Sequence, residues 1–374
     1  MEIGIHLSLG IAVYALLDEY NVRDGLTYTL LIVGLLWLTL DAIFERVLKI
    51  ARPLQLPLQF ASGIFVFINS VYLVANLDMN AIPAMISFGV YTIFFIAYAR
   101  YRKNALLGYL ASYYLPLSIL ALLEYLHQDR WLLPQIIVAV LYYGISFLVG
   151  KEEKQVEWRK MLERSSLILG TLVALSAPLE NSGLVASFPV AVTATLFAIH
   201  AFRNKNVWFG FPANAFYLMS YFMILSNFEV DQPQFFSVVA AALGMLMHYL
   251  LVRSENESKT AAFITGMLSQ LVLLSTTYFQ MVSEEEFIYF VVLFFQAIAV
   301  LVYGIITRSR SLVITPIIFL VVSVLTITFG LLEGLGTLIL IGCSGIFLIL
   351  FGIGALLLRE RFSTLREKLD DWNA

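Results

Sequence analysis

Residues 99–110 read ARYRKNALLGYL. Arg100, Arg102, Lys103 and Asn104 form a short polar turn, and the runs on either side of it, 81–99 and 105–123, are almost wholly apolar. The rest of the chain decides what kind of turn this is. Of its 374 residues 60% are hydrophobic, and only 13% are charged. That is half of the roughly 25% found in soluble domains. Mean hydropathy is +0.86. A soluble chain of this length has no interior large enough to hide so much apolar surface, so the natural solvent is a bilayer. The turn at 100–104 is then a point where the chain leaves the hydrocarbon and re-enters it.

A bilayer-crossing helix needs about 20 mostly apolar residues. That ruler gives about fourteen segments, near 3–17, 26–44, 57–77, 81–99, 105–123, 131–150, 161–179, 184–202, 207–227, 234–252, 261–282, 287–306, 311–332 and 335–358. The longest polar loop is 151–164, KEEKQVEWRKMLER, which leaves no room for a soluble catalytic domain. The first segment, MEIGIHLSLGIAVYALLDEY, lacks a positive n-region and an A-x-A-like cleavage site, so it reads as a retained span.

Cytoplasmic loops of membrane proteins are enriched in Lys and Arg. With fourteen spans, 21 of the 23 basic residues fall in the even-numbered loops and the C-terminal tail, and only Arg23 and Arg130 fall elsewhere. A miscounted span would scramble this alternation. The pattern therefore predicts an all-α polytopic bundle with both termini cytoplasmic. The odd-numbered loops carry acids instead: LLDEY at 16–20, NLDMN at 76–80, LLEYL at 122–126, PLENS at 178–182, NFEVD at 227–231, VSEEE at 282–286 and LLEGL at 331–335. Glu284, Glu285 and Glu286 are thus one member of a series. Their expected role is to keep an outer turn in water; the alternative is a cation site, since carboxylate oxygens suit calcium or magnesium.

The acidic turns recur about every 51 residues, which predicts tandem helical hairpins. Pairs of hairpins match more closely. ARYRKNALLGYL aligns with AFRNKNVWFGFP at 201–212, pairing Ala99 with Ala201, Lys103 with Lys205, Asn104 with Asn206 and Gly108 with Gly210. A looser copy begins at ITRSRSLVITP, 306–316. The expected organisation is a half repeat at 1–56, four-helix repeats at 57–156, 157–258 and 259–358, and an amphipathic cytoplasmic tail at 359–374 with Phe362, Leu365, Leu369 and Trp372 on one face. The chain opens midway through a repeat, so an upstream segment is a possibility the spacing leaves open. The copies run parallel, unlike the inverted repeats of many secondary transporters.

The hairpin series, the acid ending each odd helix, the R-x-R or R-x-K turns and the ending GLGTLILIGCSGIFLILFGIGALLLRERF resemble large multi-pass bacterial membrane proteins classed as domains of unknown function. The resemblance implies a bacterial inner-membrane location. It implies no activity and transfers no functional residue.

Candidate chemistry is sparse. Net charge is −3 with scattered basic residues, so nothing suggests a nucleic-acid partner and none is expected. The single cysteine, Cys343, excludes an intrachain disulfide and a cysteine metal cluster. P-loop, H-E-x-x-H and G-x-S-x-G motifs are absent. No cofactor, metal site or catalytic residue is expected. No acidic residue, Lys or Arg falls mid-span, which argues against a proton relay. Asp41, His200 and His248 lie near cytoplasmic span ends, where Asp41 reads as solvated and the histidines as satisfied interfacial groups.

Uncharged polar groups do occur at depth. Asn69, Asn214, Gln270 and Gln296 read either as interhelical packing groups or as the lining of a polar cavity. Spans 5 and 9, LGYLASYYLPLS and FGFPANAFYLMSYF, combine proline with tyrosines such as Tyr113 and Tyr217, and span 13 adds Pro316. Equivalent proline kinks in these spans would open a groove for a lipid-like ligand. In the last span Gly342, Gly345 and Gly352 form a face suited to close helix contact. Asp18 and Glu19, in the first outer turn, resemble the acids of membrane glycosyltransferases that use lipid-linked sugars.

The functional expectation is a non-enzymatic envelope scaffold or assembly component. Its partners would be membrane lipids and other membrane proteins. The alternatives are a carrier or flippase for an amphipathic substrate and a membrane glycosyltransferase.

Overall fold

A computed structural model of the protein describes residues 2–19, 25–43, 52–149, 153–180, 183–254, 259–284, 286–309 and 311–332. The expected span 335–358, its glycine face, Cys343 and the tail 359–374 lie outside these residues.

The described chain is all-helical. Thirteen α-helices follow one another: α1 (Glu2–Glu19), α2 (Gly25–Ile43), α3 (Arg52–Ala75), α4 (Ala81–Arg102), α5 (Ala105–Tyr125), α6 (Leu132–Leu148), α7 (Glu153–Ser176), α8 (Leu184–Asn204), α9 (Gly210–Asn227), α10 (Pro233–Arg253), α11 (Lys259–Glu284), α12 (Phe287–Thr307) and α13 (Ser311–Leu332). Eight are long and apolar enough to cross a membrane. The chain divides into two compact units, Met1–Ser182 and Gly183–Ala374. That division falls between α7 and α8, inside the stretch 157–258 that the repeat spacing groups together.

The turn that opened the sequence reading has a defined geometry. Lys103 closes α4 in the left-handed region, at φ 52° and ψ 34°. Its N–H donates to Arg100 O at 3.3 Å, and the N–H of Asn104 donates to Ala99 O at 3.0 Å. This pair of bonds satisfies two carbonyls that a helix end would otherwise orphan. Asn104 then caps α5, its side chain accepting the Leu106 N–H at 3.0 Å. Two residues therefore end one helix and start the next. Lys205 (φ 51°) and Asn206 do the same between α8 and the short 3-10 turn that leads into α9, with the same backbone bonds and a 3.0 Å cap to the Trp208 N–H. Arg308 (φ 52°) and Ser309 repeat the backbone bonds after α12. The left-handed residues that end α5 and α9, His127 and Glu229, share the 102-residue offset.

These short turns bring α4 against α5, α8 against α9 and α12 against α13 in close antiparallel contact, and three further pairs pack as closely. Within unit 1, α2 packs on α3, α4 on α5 and α6 on α7; within unit 2, α8 packs on α9, α10 on α11 and α12 on α13. Each closely packed pair is thus joined at a basic turn, one helix out of step with hairpins centred on the acidic turns. Matched side-chain bonds hold equivalent pairs together. Ser118 Oγ donates to Met85 O at 3.0 Å between α5 and α4. Ser220 Oγ donates to Ser187 O at 2.9 Å between α9 and α8, again 102 residues on.

Loss of the Asn104 cap has a calculable consequence. Replacing an Asn N-cap by Ala typically costs about 1 kcal/mol. Asn104→Ala and Asn206→Ala should each lower the thermal unfolding midpoint of the detergent-purified protein by similar amounts. The shared turn geometry predicts that equality, and one silent and one costly substitution would contradict it.

The core of unit 1 forms on α4, where Phe88, Tyr91, Phe95 and Tyr98 project from successive turns and are buried with Leu31, Leu38, Val66, Leu73 and Ala111. Tyr114 of α5 lies among them, its ring 5.8 Å from Phe88, 5.1 Å from Tyr91 and 5.8 Å from Phe95. Proline supplies another contact. Pro116 lies inside α5 and cannot donate to the carbonyl of Ser112. The Tyr142 hydroxyl of α6 donates to that carbonyl at 2.9 Å, and Gln135 Nε2 donates to Pro116 O at 2.9 Å. Pro316 likewise lies inside α13. Pro212 does not match them. It stands in the first turn of α9, where backbone N–H groups have no intrahelical partner to lose, so span 9 lacks the kink expected of it.

Candidate functional site

Asp41 is the point around which unit 1 organises its polar chemistry. It sits in the last turn of α2 and is completely buried. A buried carboxylate is tolerated only when it is paired and hydrogen-bonded. Its Oδ2 accepts the Tyr98 hydroxyl at 2.6 Å and Gln59 Nε2 at 3.1 Å, and it is ion-paired with Arg102. Arg102 Nε also donates to the Tyr98 oxygen at 3.2 Å, and its guanidinium lies 5.5 Å from the centre of the Tyr98 ring. Tyr98 and Arg102 are one turn apart on α4, so both reach the same carboxylate. This corrects the reading of Asp41 as a solvated span end. Gln59 of α3 and Tyr98 and Arg102 of α4 close over this end of α2.

Beside this cluster, α2, α3, α4 and α5 leave a groove of about 510 Å³. Gln59, Tyr98, Arg102 and Asn104 line one end. Val66, Phe67, Leu110 and Tyr114 line the other. On α3 the lining runs from Gln59 to Phe67, and on α5 from Asn104 to Tyr114. At 1.5 Å per residue these faces extend about 12 and 15 Å along the helices. Gly63 lines the groove and is exposed, and an added Cβ there would meet no atom within 4 Å.

The six residues singled out from the sequence stand elsewhere. Asn69 is buried and donates to the Tyr91 hydroxyl at 2.8 Å, joining α3 to α4. Asn214 donates to Leu243 O at 3.2 Å, joining α9 to α10. Tyr217 shares a 3.0 Å hydroxyl contact with Thr195. Thr277 donates to Gln296 Oε1 at 2.7 Å, joining α11 to α12. Gln270 is buried in α11, and Tyr113 is half-buried on α5. None of the six is among the groove-lining residues; the α5 tyrosine that lines it is the neighbour, Tyr114, which also bonds Ser70 at 3.0 Å.

His200 and His248 are both buried. His200 stacks edge-on against Phe209 with ring centres 4.5 Å apart, and Asn204 Nδ2 lies 3.1 Å from its ring nitrogens. His248 Nε2 is 3.2 Å from Ser309 Oγ. Asp18 and Glu19 are exposed at the end of α1, and Glu284 and Glu286 are exposed on either side of the α11–α12 turn.

The chain matches no protein-family model, no curated protein and no solved structure. The site must therefore be read from its own geometry.

The Asp41 cluster ties helices together: its Oδ2 is shared among donors from α3 and α4. What the geometry offers is a passage from polar groups at a basic turn to apolar side chains deeper along the same helices. Sequence reasoning missed Gln59, Tyr98 and Arg102 and misread Asp41. One signal was present: Asp41 is an acid inside an apolar run, within the last turn of its span.

Proposed function

We propose that this chain is a multi-pass protein of a bacterial inner membrane. It crosses the membrane fourteen times in tandem repeats, with both termini cytoplasmic, and acts as a non-enzymatic scaffold or assembly component of the envelope. Lipids and other membrane proteins are its partners. The observation that carries this reading is the use made of polar groups inside the helices. Asn69, Asn214 and Gln296 bond across helix interfaces, and Ser112 and Ser165 meet at 2.7 Å between α5 and α7. Such bonds fix helix positions. A second reading, a carrier or flippase for an amphipathic substrate, is favoured by the groove between α2 and α5.

Cysteine labelling in a Cys343→Ser background separates the two. An impermeant maleimide applied to intact cells should modify Asp231→Cys, and should reach Arg100→Cys only after the membrane is permeabilised. Asn214→Cys and Gln296→Cys should resist small water-soluble thiol reagents in both states. Labelling of those two deep positions would favour the carrier. Labelling of Arg100→Cys from outside would overturn the topology itself.

A further inference from the structure

The groove beside Asp41 has a direction, a length and a charge, and together these specify an occupant. Its polar end adjoins the Arg100–Asn104 turn, and its apolar end lies among Val66, Phe67, Leu110 and Tyr114. The α3 and α5 faces that form it extend about 12–15 Å. A bilayer's hydrocarbon core is about 30 Å thick, so the groove spans one leaflet. Its volume of about 510 Å³ lies in the range of roughly 300–1,000 Å³ typical of small-molecule sites.

Charge adds the remaining constraint. Arg102 is matched by Asp41. Arg100 and Lys103 are exposed, and neither is in an ion pair among the described residues. Lys103 stands in the chain between Arg102 and Asn104, which both line the groove. The mouth therefore carries excess positive charge beside neutral donors on Gln59 and Asn104.

We propose that this groove is a binding site for one anionic phospholipid of the leaflet on the basic-turn side, with an acyl chain along Val66, Phe67 and Leu110 and the phosphate at the Lys103–Asn104 turn. The inference rests on the reading that these turns lie at one membrane surface. The Asp41–Arg102 pair has a positioning role: it fixes α4 against α2 and leaves the donors of the turn to the headgroup.

Gly63 and Gly144 provide a matched test, because an added Cβ at either meets nothing within 4 Å, yet only Gly63 lines the groove. The full chain, purified in detergent, is titrated with phosphatidylglycerol or phosphatidylcholine, and bound lipids are counted by native mass spectrometry. The wild type should retain one phosphatidylglycerol, with a preference over phosphatidylcholine of about fivefold or more, the factor supplied by one uncompensated basic residue near an anionic surface. Gly144→Leu should behave as wild type. Gly63→Leu should lose the retained lipid. Lys103→Asn, which keeps a residue tolerant of the left-handed backbone, should keep the lipid and lose the preference.

Equal retention of the two lipids by the wild type, or undiminished retention by Gly63→Leu, would overturn the proposal. The lipid count does not depend on orientation. A failure of the topology would appear in cysteine labelling and leave this result standing, while a failure here would leave the labelling intact.

Discussion

Arg102→Met should destabilise the protein by about 3–5 kcal/mol, the usual cost of leaving one member of a buried ion pair behind. Asp41 is completely buried, and without Arg102 its carboxylate keeps only the neutral donors Tyr98 and Gln59. The reciprocal change should cost less. The Arg102 side chain retains 17% exposure against 0% for Asp41. In Asp41→Leu the guanidinium can swing outward on its aliphatic stem and stay hydrated, as long basic side chains do at membrane interfaces. The double variant Asp41→Leu/Arg102→Met should recover most of the loss, since well-packed apolar pairs commonly replace buried ion pairs without penalty. The expected order of stability in detergent unfolding is wild type close to the double variant, then Asp41→Leu, then Arg102→Met. Equal losses in all three variants would mean that Asp41 is not held as a buried charge.

The residues of this cluster show why the fold was more legible than the site. Spans and turns follow from one-dimensional quantities, the length of apolar runs and the placement of Lys and Arg. The 102-residue offset located turns that share backbone geometry. It also relates buried faces: Ala84, Phe88, Tyr91, Phe95 and Tyr98 on α4 correspond to Ala186, Val190, Thr193, Phe197 and His200 on α8, all of them buried. Which face of a helix turns inward is harder to read. In water an amphipathic stripe marks the buried face. In a bilayer the lipid is as apolar as the interior, and that contrast disappears. Phe67 is 67% exposed and Phe88 wholly buried, though each stands in an equally apolar stretch. For the same reason nothing in LGYLASYYLPLS distinguished Tyr113 from Tyr114. The Asp41 partners needed two further facts, the side of α4 facing α2 and the distance of Gln59 in a neighbouring helix, and both belong to packing. The close pairing of α4 with α5, α8 with α9 and α12 with α13 also escaped composition, because it depends on a short connection with one left-handed residue.

Gly304→Ala probes that packing where it is tightest. Gly304 lies in the last turn of α12, and a Cβ built on it would stand 2.8 Å from both the carbonyl carbon and the carbonyl oxygen of Leu312 in α13. These are backbone atoms with no rotamer to change. They also belong to the residue whose carbonyl Pro316, four positions on, cannot serve as a donor. The added methyl must therefore push α12 and α13 apart near their shared turn. Overpacking of this kind costs about 1–3 kcal/mol. Against it stands the helix propensity of alanine over glycine, worth about 0.8–1.0 kcal/mol. At Gly63, where a Cβ meets nothing within 4 Å, only the propensity gain remains, so Gly63→Ala should be neutral to stabilising. Gly210→Ala should fall between them, because its nearest contact, 2.9 Å away, is the sulfur of the flexible Met247 side chain. Thermal midpoints of the three variants in one detergent would test the order. A stable Gly304→Ala protein would mean that the α12 and α13 backbones do not meet at this turn. A loss for Gly63→Ala as large as that for Gly304→Ala would show that glycine is needed along these helices for reasons other than space.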